Sequence, residues 1–228
     1  MRYLIVLCGI CIFLSSCFEI VEEVNLKADG TGTFSYIINA SRSKDEIAAA
    51  QKLDSFMGKR IPDKGEVMSQ LARISDLLTH SDGISGVQLT QDYTNYIFQI
   101  KGSFASLEKL NAAFAETATN LGGDGAMIAS VFRYSGADSC FTRKASITDK
   151  ARSGAWEKLL GTGENTATYT CIVRNEKPAE STGNTLAKIS PSRKAVMLKT
   201  TVRNAVYLPG SLNLHITYGK PALTGAGK

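Results

Sequence analysis

The chain has 228 residues, 43% of them hydrophobic and 21% charged, with a formal net charge of +5. Such a composition describes a water-soluble globular body and excludes a disordered chain or a multi-span membrane protein. The charge is uneven: residues 17–119 hold 10 Lys+Arg against 14 Asp+Glu, whereas 120–228 hold 15 against 7. The basic residues are scattered through expected strands instead of forming a run, so solvated sheet faces account for them better than nucleic-acid contacts, and no nucleic-acid partner is expected.

Met1-Arg2-Tyr3, an uninterrupted apolar run over residues 4–14 and the small Ser15-Ser16 before Cys17 make the three parts of a secretory signal. The apolar run is too short for an ordinary bilayer span. Leu14-Ser15-Ser16-Cys17 resembles the lipobox of bacterial lipoproteins. That resemblance implies that residues 1–16 are a signal peptide, and that Cys17 becomes a lipidated first residue. Membrane affinity rises by about 0.8 kcal/mol per buried CH₂, so two or three acyl chains on Cys17 would hold durably and no second span is needed. The alternative is a secreted protein cut near Ser16, with Cys17 an ordinary residue.

Of five cysteines, Cys8 and Cys11 leave with the signal and Cys17 is the anchor, which leaves Cys140 and Cys171. In an oxidising envelope this pair is expected to form a structural disulfide, restricting the unfolded chain by roughly 3–4 kcal/mol in the chain-entropy description. Two buried thiols on different strands are the alternative, because sequence does not reveal whether the α-carbons lie within bonding range.

Phe18, Ile20, Val24 and Leu26 alternate, Asp29-Gly30 breaks the run, and Phe34, Tyr36 and Ile38 resume it, which predicts a β-hairpin. Ser43 followed by Glu46 reads as a capping box opening a helix that stops at Gly58. Val67, Leu71, Ile74 and Leu78 predict a second helix after Pro62-Asp63, ending at residues 81–83. Residues 84–90, a turn around 91–95, and Tyr96, Phe98 and Ile100 make a second hairpin, then Ser103 or Ser106 opens a helix carrying Leu107, Leu110 and Phe114.

Several strings in this half resemble a group of uncharacterised lipoproteins of Bacteroidota: Cys17-Phe18-Glu19-Ile20, Asp29-Gly30-Thr31-Gly32-Thr33, Ser41-Arg42-Ser43-Lys44, Gly83-Ile84-Ser85-Gly86-Val87, Asp92-Tyr93-Thr94-Asn95-Tyr96 and Leu110-Asn111-Ala112-Ala113. The resemblance covers residues 17–120. It implies an outer-membrane lipoprotein and carries over no activity, and only the lipidated position, Cys17, transfers.

Residues 121–125 read as a linker or turn. Strands are expected at 128–134 and 140–147, then a short helix holding Trp156, Leu159 and Leu160, and a strand at 166–174 with Cys171 facing the way Tyr169 and Val173 do. Residues 175–194, with two prolines and many polar side chains, read as a long surface loop. Val196, Leu198, Thr200 and Val202 form a strand, Pro209-Gly210 turns, Leu212 to Tyr218 form the last strand, and residues 219–228 fray.

Groups with catalytic or ligand chemistry are sparse. Only His80 and His215 carry imidazoles, so zinc sites and Cys-His nucleophilic pairs lack material. His80 suits a helix end, and His215 sits on a strand. Ser41…Lys44 and Ser106…Lys109 fit the Ser-x-x-Lys spacing of penicillin-recognising enzymes, but the Ser-Asp-Asn and Lys-Thr-Gly companions are missing and helix capping explains both serines. Glu19, Glu22 and Glu23 lack the pattern of a calcium loop or a glycosidase pair, and Glu22 and Glu23, on opposite faces of a strand, read as solvated edge charges. Tyr93, Tyr96, Phe98, Tyr134, Phe141, Trp156, Tyr169, Tyr207 and Tyr218 fit sheet cores better than a ligand pocket.

The expectation is an α+β protein of antiparallel β-hairpins with helices packed on one face, in the order ββααββα then ββαβ-ββ. Its parts are a signal at 1–16, an α+β region at 17–120, a basic β-rich region at 121–218 within the same or a second domain, and a tail at 219–228. No catalytic residue, metal or cofactor is assigned. The expected function is a lipid-anchored envelope lipoprotein acting as a non-catalytic binding or structural module, its partners the membrane through Cys17 and an envelope protein or polymer. A carrier or sensor of an apolar ligand is the alternative, and an enzyme ranks third.

Overall fold

The computed structural model describes residues 18–52, 55–56, 59–60, 62–121, 131–137, 139–145, 167–208 and 210–219. The expected signal and Cys17, the helix stop at Gly58, the break at 122–125, the Trp156 helix and the tail from residue 220 lie outside the described residues.

Strands β1 (Glu19–Leu26) and β2 (Gly32–Asn39) pair antiparallel as expected. Their turn is held by Asp29, whose carboxylate accepts from the Thr31 amide at 2.9 Å and its hydroxyl at 2.8 Å. A 3₁₀ turn over Ser41–Ser43 leads into α1 (Lys44–Ala50). The Ser43 capping box does not form. Ser43 is buried and its side chain makes no cap bond, because the preceding 3₁₀ turn already supplies the helix start.

The minimal strands β3 (Ser55–Phe56) and β4 (Lys59–Arg60) precede α2 (Lys64–His80). A capping box one element later opens α2: the Glu66 amide donates to Asp63 Oδ1 at 2.9 Å and the Asp63 amide donates to Glu66 Oε2 at 3.0 Å. The hairpin β5 (Ile84–Asp92) and β6 (Ile97–Phe104) follows, and Ser106 caps α3 (Leu107–Asn120) by accepting from the Lys109 amide at 3.3 Å. Then come β7 (Val131–Ser135), β8 (Cys140–Lys144) and β9 (Thr168–Asn175).

Where a long loop was expected over 175–194, the chain forms β10 (Ala179–Thr182) and β11 (Ala187–Ile189). Both are edge strands, one in each large sheet, and the polar composition that suggested a loop is what sheet edges carry. After β12 (Ala195–Thr201) the expected strand does not continue through Val202. The Thr201 hydroxyl accepts from the Asn204 amide at 3.1 Å and starts α4 (Val202–Tyr207), before β13 (Leu214–Tyr218) closes the fold.

The α+β class is therefore as expected, with more sheet than the hairpins alone imply. Seven strands run in the order β11-β12-β9-β1-β2-β6-β5, and four more in the order β10-β13-β8-β7. All neighbours in both are antiparallel except β1 and β9, which run parallel. One face of the seven-stranded sheet is buried. Over its β2-β6-β5 side lie the helices, where Phe114 of α3 meets Phe34 and Tyr36 edge-on with ring centroids 5.4 and 5.2 Å away. Over its β1-β9-β12 side lies the four-stranded sheet, whose Phe132, Phe141 and Ile216 join Val24, Val173 and Leu198 in one core. Asn111 ties α3 to that second sheet by donating to the Phe132 carbonyl at 2.9 Å and accepting from its amide at 3.1 Å. The outer face of the large sheet is polar, with Glu23 paired to Arg174 and Glu19 to Lys199.

Candidate functional site

On the buried face of β1 the alternating series Phe18, Ile20, Glu22, Val24, Leu26 contains one charge. Glu22 is 1% exposed. The expectation of a solvated edge charge is corrected here for Glu22: β1 lies between β9 and β2 in the middle of the sheet, and the second sheet packs over the face on which Glu22 stands. Register places Cys171 on one side of Glu22 and Tyr36 on the other.

The balancing charge comes from the second sheet. In β8, Phe141 and Arg143 face inward, and Arg143 is 1% exposed. Its Nε donates to Glu22 Oε1 at 2.9 Å and its Nη2 to Glu22 Oε2 at 2.8 Å, a two-pronged contact. Nη2 also donates to the Tyr169 hydroxyl at 2.8 Å, and Nη1 donates to the Leu212 carbonyl at 2.6 Å. The Tyr169 hydroxyl in turn donates a hydrogen bond to Glu22 Oε2. The guanidinium lies over the rings of Tyr169 and Phe132, 5.5 and 6.0 Å from their centroids.

Electrostatics follow from this enclosure. Burial by itself would lower the Arg143 pKa, but the adjacent Glu22 carboxylate together with Tyr169 and Cys171 outweighs it and holds the guanidinium pKa well above its usual value. Burial, reinforced by the negative charge of Glu22, pushes the hydroxyls of Tyr36 and Tyr169 and the thiol of Cys171 up. The cluster is thus a charged pair ringed by protonated acids. Arg143 donates four hydrogen bonds within this enclosure, and the arrangement clamps one sheet to the other.

Cys140 and Cys171 are not joined to each other, which corrects the expected pairing. They belong to different sheets: Cys171 faces into the core with Sγ 3.8 Å from Glu22 Oε1, and Cys140 stands on the outward side of β8 beside His215. The Cys140 Sγ to His215 Nδ1 distance is 3.5 Å, so the chain does bring one cysteine and one histidine together, on neighbouring strands. His80 sits at the end of α2, as expected, with Nδ1 2.8 Å from the Asp76 carbonyl. Ser106 caps α3, and the Lys109 amine pairs with Asp82 instead of the serine. Glu19 and Glu23 meet Lys199 and Arg174 at 3.3 and 2.7 Å. Among the described residues, no three His, Cys, Asp or Glu side chains gather as a metal site.

The sequence carries two partial signals of the clamp. Glu22 stands in phase with four apolar residues of its strand, and Arg143 stands in phase with Phe141 and Ala145. A charge on the apolar phase of a central strand needs an opposite partner from the facing layer.

No protein-family model matches the chain, and no curated protein matches it. Among solved structures it is similar to the folded domain of the LppM protein of Mycobacterium tuberculosis, solved by NMR, at 15% identity and a TM-score of 0.45, over 92% of this chain and 95% of that one.

Proposed function

We propose that this chain is a lipid-anchored lipoprotein of the cell envelope, sited at the outer membrane, whose folded body is a non-catalytic module for binding or structure. The observation that carries the reading is the signal-like start, an apolar run at 4–14 followed by Ser15-Ser16-Cys17, set directly before a residue of the core. Phe18 is 4% exposed, so the packed body begins one residue after the candidate lipid site. Among the described residues, no helix is long and apolar enough to cross a membrane. The non-catalytic part of the reading draws on the clamp, whose charges neutralise each other out of reach of a substrate. The partner is an envelope protein or polymer met at the membrane, where anchoring raises the local concentration.

The test compares the native chain with Cys17→Ala in intact cells. The native protein is expected in the membrane fraction with the added mass of a diacylglyceryl group and acyl chain, and the variant in the soluble fraction. A native protein with a bare terminus overturns the reading. Crosslinking from intact envelopes then identifies what the anchored form touches.

A further inference from the structure

We propose that the pole of the fold at which β1 begins is a membrane-apposed surface, with the turn over residues 93–96 and helix α4 lying at the level of the lipid headgroups. The inference rests on lipidation of Cys17 as proposed above. Adjacent α-carbons are about 3.8 Å apart, and the residue after Cys17 is locked: Phe18 is 4% exposed and its carbonyl accepts from the Thr168 amide at 2.9 Å. Acyl chains on Cys17 therefore leave from within one residue of the packed core. No linker lets the body swing away from the bilayer, so the tether selects an orientation. At ~3.3 Å per residue, β1 carries its far end about 25 Å from the anchor.

Register shows what shares the anchored pole. Glu19 pairs with Asn39 and Thr168, Thr168 with Thr201, and Ile97 with Asn39 and Asp92. The 93–96 turn, the Ser41–Ser43 turn and α4 thus all cap this end. Tyr93, Tyr96 and Tyr207 pack against the apolar cluster that holds Phe18, and each is only partly buried. Leu208, next to Tyr207, is 54% exposed. The Tyr93 hydroxyl is turned inward and the Tyr96 hydroxyl donates to Gln51 Oε1 at 3.1 Å, so this end presents partly covered aromatic rings beside an apolar Leu208, side chains of the kind concentrated at headgroup depth. The opposite pole carries the turns 27–31 and 190–194, Lys-Ala-Asp-Gly-Thr and Ser-Pro-Ser-Arg-Lys, with no aromatic side chain in either.

The test uses full-length lipidated protein purified from membranes, in a Cys140→Ser background where Cys171 is buried and Cys17 is consumed by its thioether. A fluorophore is attached through Thr94→Cys at the anchored pole or Ala28→Cys at the far pole, both exposed positions. Each is reconstituted into phosphatidylethanolamine and phosphatidylglycerol vesicles containing a headgroup-nitroxide lipid. Loss of fluorescence at position 94 with none at position 28 is expected. Equal quenching at both positions, quenching at neither, or quenching greater at position 28 overturns the orientation while leaving the anchor intact. Absence of lipid mass on the purified native chain removes the anchor, and the orientation falls with it.

Discussion

Arg143 grips Glu22 across 121 residues of sequence, Nε to Oε1 at 2.9 Å and Nη2 to Oε2 at 2.8 Å, and both side chains are sealed from water. The pair joins the central strand of one sheet to an inner strand of the other. The planar guanidinium fork meets the carboxylate through two bonds at once, so the pair ties the two layers together directionally.

Removing one partner of a buried pair leaves the other charge uncompensated, at a cost of about 3–5 kcal/mol. Arg143→Met is therefore expected to lower the free energy of unfolding by that order in urea titrations. The double replacement Glu22→Leu with Arg143→Met restores most of the loss, since no charge is then stranded. A single-variant loss under about 1 kcal/mol, within the range of an exposed pair, would show that water reaches the pair.

The two thiols differ in environment and separate by alkylation. Cys171 is fully buried, and its thiol is held protonated by burial and by the Glu22 carboxylate beside it. Cys140 stands on the outward side of its sheet. Iodoacetamide is expected to modify Cys140 in the native protein and Cys171 only after unfolding, because the thiolate is the reacting form. Mass spectrometry of the digested protein reads both positions. If neither reacts until a reductant is added, the thiols are bonded after all.

Stability is expected to fall in alkali. Unfolded thiols ionise near pH 8.5 and phenols near pH 10, whereas burial holds Cys171, Tyr36, Tyr169 and Tyr218 protonated in the fold. Above those values the unfolded chain has given up protons that the native chain retains, so unfolding gains with every step in pH. These groups contribute fully below the unfolded values, and their contribution declines above them. The urea midpoint should hold to about pH 8 and then drop, first from Cys171 and beyond pH 10 from the tyrosines. Cys171→Val should remove the first part of the decline. A midpoint that stays level to pH 10.5 would contradict the burial of this cluster.

The hairpins, α2 and α3 were legible because each repeats one local rule: alternation closed by Asp29-Gly30, helical spacing from Val67 to Leu78, and a serine ahead of Leu107. The clamp was not. Glu22 follows the apolar phase of its strand, but whether a strand is central or at an edge depends on β9, whose Cys171 pairs with Glu22 from 149 residues later, and local periodicity carries no such information. Edge strands β10 and β11 failed for the converse reason, since their polar side chains match those of a loop. The end of β12 at Thr201 is not legible in the sequence, because alternation continues through Val202 while the cap that ends the strand is a single hydroxyl. Cys140 and Cys171 were paired by compartment and count, which say nothing of layers.

Two glycines of the first hairpin resist substitution for different reasons. Gly30 has φ of +87° with open space around it, so Gly30→Ala carries only the cost of a left-handed backbone, about 1–2 kcal/mol. Gly32 is a matter of space. A β-carbon there would run into the Asn25 carbonyl oxygen and the Phe104 ring. The ring can turn aside, but the oxygen belongs to the paired strand β1 and moves only with the sheet. Gly32→Ala is therefore expected to cost more than Gly30→Ala, at or above the ~1–3 kcal/mol typical of overpacking. It should also disturb the amide signals of β1 and β6 together. Urea midpoints for the two variants decide the order, and a Gly32→Ala protein as stable as the parent would mean that the hairpin does not close against Phe104.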